Sequence, residues 1–175
     1  MRQLVYSVAT SLDGFIAGPN GEIDWIDPNA GIDFRALHCR FDTMLMGRRT
    51  YEVASTRGDL LRQTGMQILV VSTTLDSAQQ PGITILNTGL ASAVHTLKTA
   101  PGKDIWLSGG GQLFRSLLTT GLVDSVQVAV FPVLLGAGTP LISQGRRAVL
   151  KLNEYQKLPS GVLLLTYQVT QADGA

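Results

Sequence analysis

Short apolar runs that stop at glycine or hydroxyl residues alternate with helix-period segments as far as Gly121, and after Val123 only strand patterns follow. That order dictates an α/β fold, a mixed and mostly parallel sheet with helices on both faces and an antiparallel finish. Leu4-Val5-Tyr6-Ser7-Val8-Ala9 is apolar on both faces, as a central strand of a covered sheet must be. Thr43–Met46, Gln67–Val71, Ile83–Leu86 and Asp104–Ser108 are further short strands. Asp33–Phe41 and Arg48–Ala54 read as helices, and Leu90, Ala93, Val94 and Leu97 fall on one face of another. Leu113, Phe114, Leu117 and Leu118 stripe a helix ending at Gly121. Ser125–Phe131, Val149–Gln156 and Val162–Thr170 close the chain, and Gln171–Ala175 is expected to fray. No linker or repeat intervenes, so residues 1–170 form a single domain.

Composition removes several functions. With 14 Lys+Arg against 13 Asp+Glu there is no basic footprint for nucleic acid. One cysteine, Cys39, permits no intrachain disulfide and no cysteine zinc site, and two histidines, His38 and His95, build no metal site. His38 is expected on the outer face of its helix and His95 off the apolar stripe of its own. The longest apolar stretch, Val126 to Ile142, is broken by Gln127, Pro132, Gly136, Gly138, Thr139 and Pro140, so it spans no membrane as a helix. A soluble, cytoplasmic protein without membrane partners is the expectation.

In open α/β sheets ligands bind at the carboxyl ends of strands, so the residues just after each apolar run carry the information. Gly47-Arg48-Arg49-Thr50 ends one strand and opens a helix, whose free N–H groups and dipole favour an anion. Arg48 and Arg49 offer planar forks for phosphate oxygens, or are solvated at a helix start that Thr50 caps. Ser72-Thr73-Thr74 either caps a turn or holds a phosphate. Gly109-Gly110-Gly111 is more glycine than a turn needs and lets the main chain approach a ligand. Cations, hydroxyls and bare backbone on one edge suit an extended polyphosphate such as a dinucleotide. The Gly-rich segment Asp13–Gly31 is too long for a plain turn, and loops of that length are usually functional.

Ser11-Leu12-Asp13-Gly14-Phe15-Ile16-Ala17, Gly47–Glu52, Ser108–Gly111 and Pro132–Leu141 occur in an order that resembles the dihydrofolate-reductase-like superfamily. Within it the chain resembles the stand-alone form of the reductase (C-terminal) domain of the bifunctional riboflavin-synthesis deaminase-reductase. The resemblance implies a three-layer fold with about eight strands, NADPH as cofactor and a homodimer, with Val126–Phe131 and the segment after it as interface or core. It implies that Ala9, Ile16 and Ala17 meet the nicotinamide end, with Trp25 over it or plugging the core edge. Gly14, Gly18 and Gly21 around Trp25 then suit a lid that moves. It implies that Gly47, Arg48, Arg49 and Thr50 hold the pyrophosphate and 2′-phosphate, with Ser72 and Thr73 beside the latter. Gly109 and Gly110 match a pair joined by a cis peptide, and Gly111, Gln112 and Leu113 continue under the pyrophosphate. A cis bond outside proline costs roughly 3–4 kcal/mol, which suits glycine.

The implied reaction is hydride transfer to a small nitrogen heterocycle of pyrimidine or pterin type. A true dihydrofolate reductase and a non-catalytic NADP-binding module are the alternatives. A proton must also reach the substrate, from a carboxylic acid or from water. Asp13 and Asp33 are the candidate acids; each is equally read locally, Asp13 as turn chemistry before Gly14 and Asp33 as a helix cap. A pterin-anchoring carboxylate would fall near Ala30 or Gly31, where there is none, and Asp27 and Asp33 are out of register. Arg35 and Arg40 are loose matches for ribose-phosphate arginines. The deaminase half, which needs a His/Cys/Cys zinc set, is absent from this chain.

Overall fold

The computed structural model describes residues 1–56, 64–76, 81–145 and 147–172. The chain runs β1 (Leu4–Ser11), β2 (Phe15–Ala17), α1 (Phe34–Cys39), β3 (Phe41–Gly47), α2 (Arg48–Ser55), β4 (Gln67–Val71), β5 (Ile83–Leu86) and α3 (Leu90–Thr99). It continues through β6 (Asp104–Gly109), α4 (Gly111–Thr119), β7 (Ser125–Phe131), β8 (Thr139–Pro140), β9 (Ala148–Lys157) and β10 (Leu163–Ala172). Eight strands form one sheet in the order β5-β4-β3-β6-β1-β7-β10-β9. Pairing is parallel from β5 to β7 and antiparallel from β7 through β10 to β9. The expected architecture is the observed one.

Helices cover both faces because each strand of the parallel part must bury two sets of side chains. On one face Leu4, Tyr6, Leu45, Ile105, Leu107 and Val126 pack against Val94 of α3 and Leu113, Phe114 and Leu117 of α4. The Tyr6 ring stacks on Phe114 with centroids 3.8 Å apart, and its hydroxyl donates to the Leu141 carbonyl at 2.9 Å. Burial raises the Tyr6 phenol well above its ordinary pKa. On the other face Val5, Met44, Met46 and Val70 pack with Leu37 of α1 and Tyr51 of α2. Two ion pairs with a buried cation, Arg2–Asp42 and Lys98–Asp124, staple the base of the sheet. Lys98 Nζ donates to Asp124 at 2.6 Å and to the Leu122 carbonyl at 2.9 Å, while Asp124 also accepts from the Leu4 amide at 2.7 Å.

Tertiary structure alters several local expectations. Val126–Phe131 is an interior strand, paired on both sides by β1 and β10, with Val126 and Val128 in the core. Exposed apolar side chains cluster at the sheet's edge on β9, at Val149, Leu150, Leu152 and Tyr155, and Leu134 is exposed in the segment after β7. The Asp13–Gly31 loop contains β2, which pairs with β8 where the sequence suggests no strand. α1 is shorter than Asp33–Phe41 at both ends: Asp33 caps it, its carboxylate accepting from the Ala36 amide at 2.8 Å, and Phe41 already opens β3. His38, expected outside, is half-buried with its ring 5.4 Å from that of Trp106, since α1 turns it toward the sheet. β10 continues to Ala172, held by β9, beyond the strand end expected from the pattern; residues 173–175 of the expected frayed tail lie outside the described residues.

Candidate active site

Three strands with punctuated ends lie side by side. Gly47 at the end of β3 pairs with Val71 at the end of β4, and Met46 pairs with Gly109 at the end of β6. Parallel neighbours finish on the same edge, so the arginine pair, the hydroxyl cluster and the triple glycine share it.

Two helices open there. α2 has Gly47 as N-cap and α4 has Gly110, and neither receives a side-chain capping bond. The first N–H groups of each helix have no intrahelical acceptor, and aligned peptide dipoles make both ends partly positive. The two are in contact: a β-carbon built on Gly109 would sit 3.0 Å from Thr50 Cγ2, and one on Gly110 would sit 3.9 Å from the Gly47 nitrogen. Side chains at Gly109 or Gly110 would fill the space between the helix starts.

The glycines divide by role. Gly110 has φ +97, a region that favours glycine, and makes the turn into α4. The Gly109–Gly110 bond, expected cis, is trans, the form favoured outside proline by roughly 3–4 kcal/mol; no cis bond occurs among the described residues. Gly111 serves packing: a β-carbon there would lie 2.8 Å from the Pro140 carbonyl, and its own carbonyl accepts the Ser143 hydroxyl at 3.3 Å. Gln112 is exposed, whereas Leu113 is buried in the core and offers a ligand only its amide.

Arg48 and Arg49 are exposed at the start of α2, Arg48 within 3.4 Å of Glu52 one turn on. Ser72 is buried, and its Oγ accepts the amides of Thr74 at 3.1 Å and Leu75 at 3.0 Å, which is a turn cap. Thr73 beside it is exposed. Arg40 is engaged with Asp104 at 3.0 Å, while Arg35 is exposed on α1.

Asp13 is a latch. Its carboxylate accepts Ser11 Oγ at 2.6 Å, the Gly136 amide at 2.7 Å and the Leu135 amide at 3.1 Å. The Ser11 hydroxyl first, then the Gly136 and Leu135 amides, hold its carboxyl below the usual carboxylate range. A group kept ionised in this way is a poor acid, and the one it ties down is the 133–138 segment. The same strap is pinned by the Leu12 amide on the Val133 carbonyl at 2.9 Å and the Leu141 amide on the Gly14 carbonyl at 2.8 Å. Gly138 permits the contact, since a β-carbon there would lie 2.1 Å from the Ala17 carbonyl. Ile16 and Ala17 lie in β2, half-buried and paired with β8 just after this strap. Asp33, the other candidate acid, is exposed and occupied in capping α1.

Trp25 packs edge-on against Phe131, centroids 5.6 Å apart, and its Nε1 donates to the Glu22 carbonyl at 3.2 Å. With Asp27, Ala30, Phe131, Val133 and Val162 it lines a cleft of about 200 Å³ at the carboxyl end of β7. Ala9, at the end of β1, packs against the same cluster. The Trp25 reading as a plug of the core edge and the reading as cover for a ring over Ala9 meet at this position. Among the described residues no cluster of His, Cys, Asp or Glu could hold a metal ion, and no helix is long and apolar enough to cross a membrane.

Comparison with known proteins agrees with the geometry. The family model for the RibD C-terminal domain matches residues 2–164. YyaP of Bacillus subtilis (strain 168), an uncharacterised protein, is 34% identical over 180 residues, covering 95% of this chain and 94% of its own. The crystal structure of a putative riboflavin biosynthesis protein from Shewanella sp. PV-4 superposes with a TM-score of 0.82 at 26% identity, over 98% of this chain and 100% of that one. Dihydrofolate reductase from Enterococcus faecalis, complexed with NADP(H), shares the fold at a TM-score of 0.68 and 17% identity, over 97% of each chain. A dihydrofolate-reductase-like sheet with its strand-end glycines, matched by that family model along nearly its whole length, makes this chain a member of the RibD C-terminal domain family.

Proposed function

We propose that the chain is an NADPH-dependent reductase that delivers hydride to a small nitrogen heterocycle of pyrimidine or pterin type, in the manner of a riboflavin-pathway reductase. The observation that carries the reading is the abutment of two uncapped helix starts, Gly47–Arg48 and Gly110–Gly111, on adjacent strand ends. A pyrophosphate fits there: its oxygens would take the unspent amides of Arg48, Arg49 and Gly111, and Gly109 and Gly110 leave the space a side chain would fill. The guanidinium groups of Arg48 and Arg49 and the hydroxyl of Thr73 would hold a 2′-phosphate. Ser72 shapes the turn that presents Thr73. Ala9, Ile16 and Ala17, under the strap that Asp13 ties down, would face the nicotinamide through main-chain groups. When bound, the cofactor supplies the hydride; the protein orients the two rings and excludes water.

A true dihydrofolate reductase is disfavoured, because Asp33 is spent capping α1 and Asp13 is held ionised at the strap. Water is then the proton source this site best supports. The homodimer belongs to the same reading, with β9 and its exposed Val149, Leu150, Leu152 and Tyr155 as the face between two copies; sedimentation as a monomer overturns it. A cytoplasmic setting, where NADPH is plentiful, goes with the proposed activity. Titration with NADPH and NADH, followed by energy transfer from Trp25 and Trp106, tests the cofactor. Equal affinity for the two removes the assigned phosphate site, and tight NADPH binding without oxidation by any pyrimidine or pterin favours a binding module.

A further inference from the structure

The cleft beside Trp25 stands apart from the cofactor edge. None of its lining residues comes from β1, β3 or β6, whose ends carry the proposed cofactor site. Buried Phe131, Ala30 and Val162 form its floor, and the more exposed Trp25, Asp27 and Ser160 stand around them. The β9–β10 turn closes it from the far side. Ser160 there donates to the Ala30 carbonyl at 2.7 Å, and a β-carbon on Gly161 would lie 3.7 Å from Pro132 Cγ. At about 200 Å³ the cleft has room for a single ring with a short tail, below the roughly 300–1,000 Å³ of pockets for drug-sized ligands.

Its polar side chains all ask for a donor. The Trp25 N–H is spent on the Glu22 carbonyl at 3.2 Å and the Ser160 proton on Ala30, so what Ser160 has left to offer is its oxygen. Asp27 is the one charged residue in the lining. Its carboxylate accepts the Asn29 amide at 2.8 Å, and among the described residues no lysine or arginine pairs with it. Residues 3–34 hold Asp13, Glu22, Asp24, Asp27 and Asp33 and no basic residue, and Lys157 at the start of the turn does not line the cleft. The Trp25 and Phe131 rings meet at 82°, and ring faces attract a cation within about 6 Å.

We propose that this cleft is a second ligand site, for a small primary amine that carries one aromatic ring and binds as its ammonium ion. The ring rests on Phe131 and Val162, and the ammonium donates to the Asp27 carboxylate and to Ser160 Oγ. The same acceptors repel a carboxylate or a phosphate, so the site selects by charge. It needs nothing from the cofactor edge.

The test uses benzylamine as probe, benzyl alcohol and benzoate as its neutral and anionic counterparts, and the variants Asp27→Asn and Trp25→Phe. Asp27→Asn keeps an acceptor for the Asn29 amide and removes only the charge. Calorimetry should show benzylamine bound about tenfold more weakly by Asp27→Asn, and benzyl alcohol about equally by both proteins. Benzylamine should change tryptophan emission saturably in wild type and not in Trp25→Phe, where Trp106 remains. Saturating NADPH should leave benzylamine affinity within about twofold. No saturable binding, an unchanged affinity in Asp27→Asn, benzoate bound as well as benzylamine, or an emission change that survives in Trp25→Phe overturns the site. Mutual exclusion with NADPH also overturns it, because the amine then occupies the cofactor crevice. A protein that holds benzylamine through Asp27 and ignores NADPH keeps this site and sinks only the cofactor reading.

Discussion

Gly110 stands against Gly47: a β-carbon on the first would lie 3.9 Å from the nitrogen of the second. The caps of α2 and α4 therefore face each other across the ends of β3 and β6. Two partly positive helix starts next to each other attract an anion more than either does alone. Under the proposed cofactor reading, a bridging phosphate would both satisfy the free amides and offset the repulsion between the two ends.

The glycines at this edge should respond unequally to alanine. Gly47→Ala meets open space at an ordinary φ of −80 and should shift stability by less than about 0.5 kcal/mol. Gly110→Ala forces a side chain to φ +97 and should cost about 1–3 kcal/mol. Gly111→Ala drives a β-carbon to within 2.8 Å of the Pro140 carbonyl and should be no milder. Urea denaturation of the three variants orders them; an equal response would remove the separation of roles drawn here.

Arg48→Ala should distinguish cofactor from fold. Its pairing with Glu52 is exposed, and such i,i+4 pairs are worth about 0.3–0.5 kcal/mol, so the midpoint should barely move. A lost charged phosphate contact costs about 1.5–3 kcal/mol. NADPH binding should weaken accordingly and NADH binding should not. Calorimetric titration with both nucleotides provides the comparison.

Asp13 should act as a positioning residue. A carboxyl whose folded pKa is lowered stabilises the protein above its unfolded value, about 3.9, and loses that contribution as pH falls through the folded value. Asp13→Asn should therefore be less stable than wild type at neutral pH, with the gap closing below about pH 4. A general acid contributes about 100-fold or more to kcat. A smaller loss in Asp13→Asn, with KM raised by the loosened 133–138 strap, agrees with the latch; a larger loss in kcat at constant KM restores Asp13 as the acid.

Lys98→Ala should be among the most damaging single changes away from the cleft. It strips Asp124 and the Leu122 carbonyl of their shared donor in a mostly buried position, with Lys98 only 6% exposed. Removing one partner of a buried pair costs about 3–5 kcal/mol, and the partial exposure of Asp124 argues for the low end. Thermal unfolding of the ligand-free protein reads this directly.

The sequence alone determined whatever depends on neighbours along the chain. Gln67–Val71, Ile83–Leu86 and Ser125–Phe131 have the bounds their apolar periods announce. Asp33 and Ser72 cap as residues of their kind do at helix and turn starts. Each of these follows from local sterics and from which face must leave water, and both are written in consecutive residues. Tertiary structure alone decided what depends on partners far apart in the chain. It brought the amides of Leu135 and Gly136 onto the Asp13 carboxylate, 122 and 123 residues away. It turned His38 inward and made Val126–Phe131 an interior strand. Strand order comes from closing the whole core at once, and no local window contains that constraint.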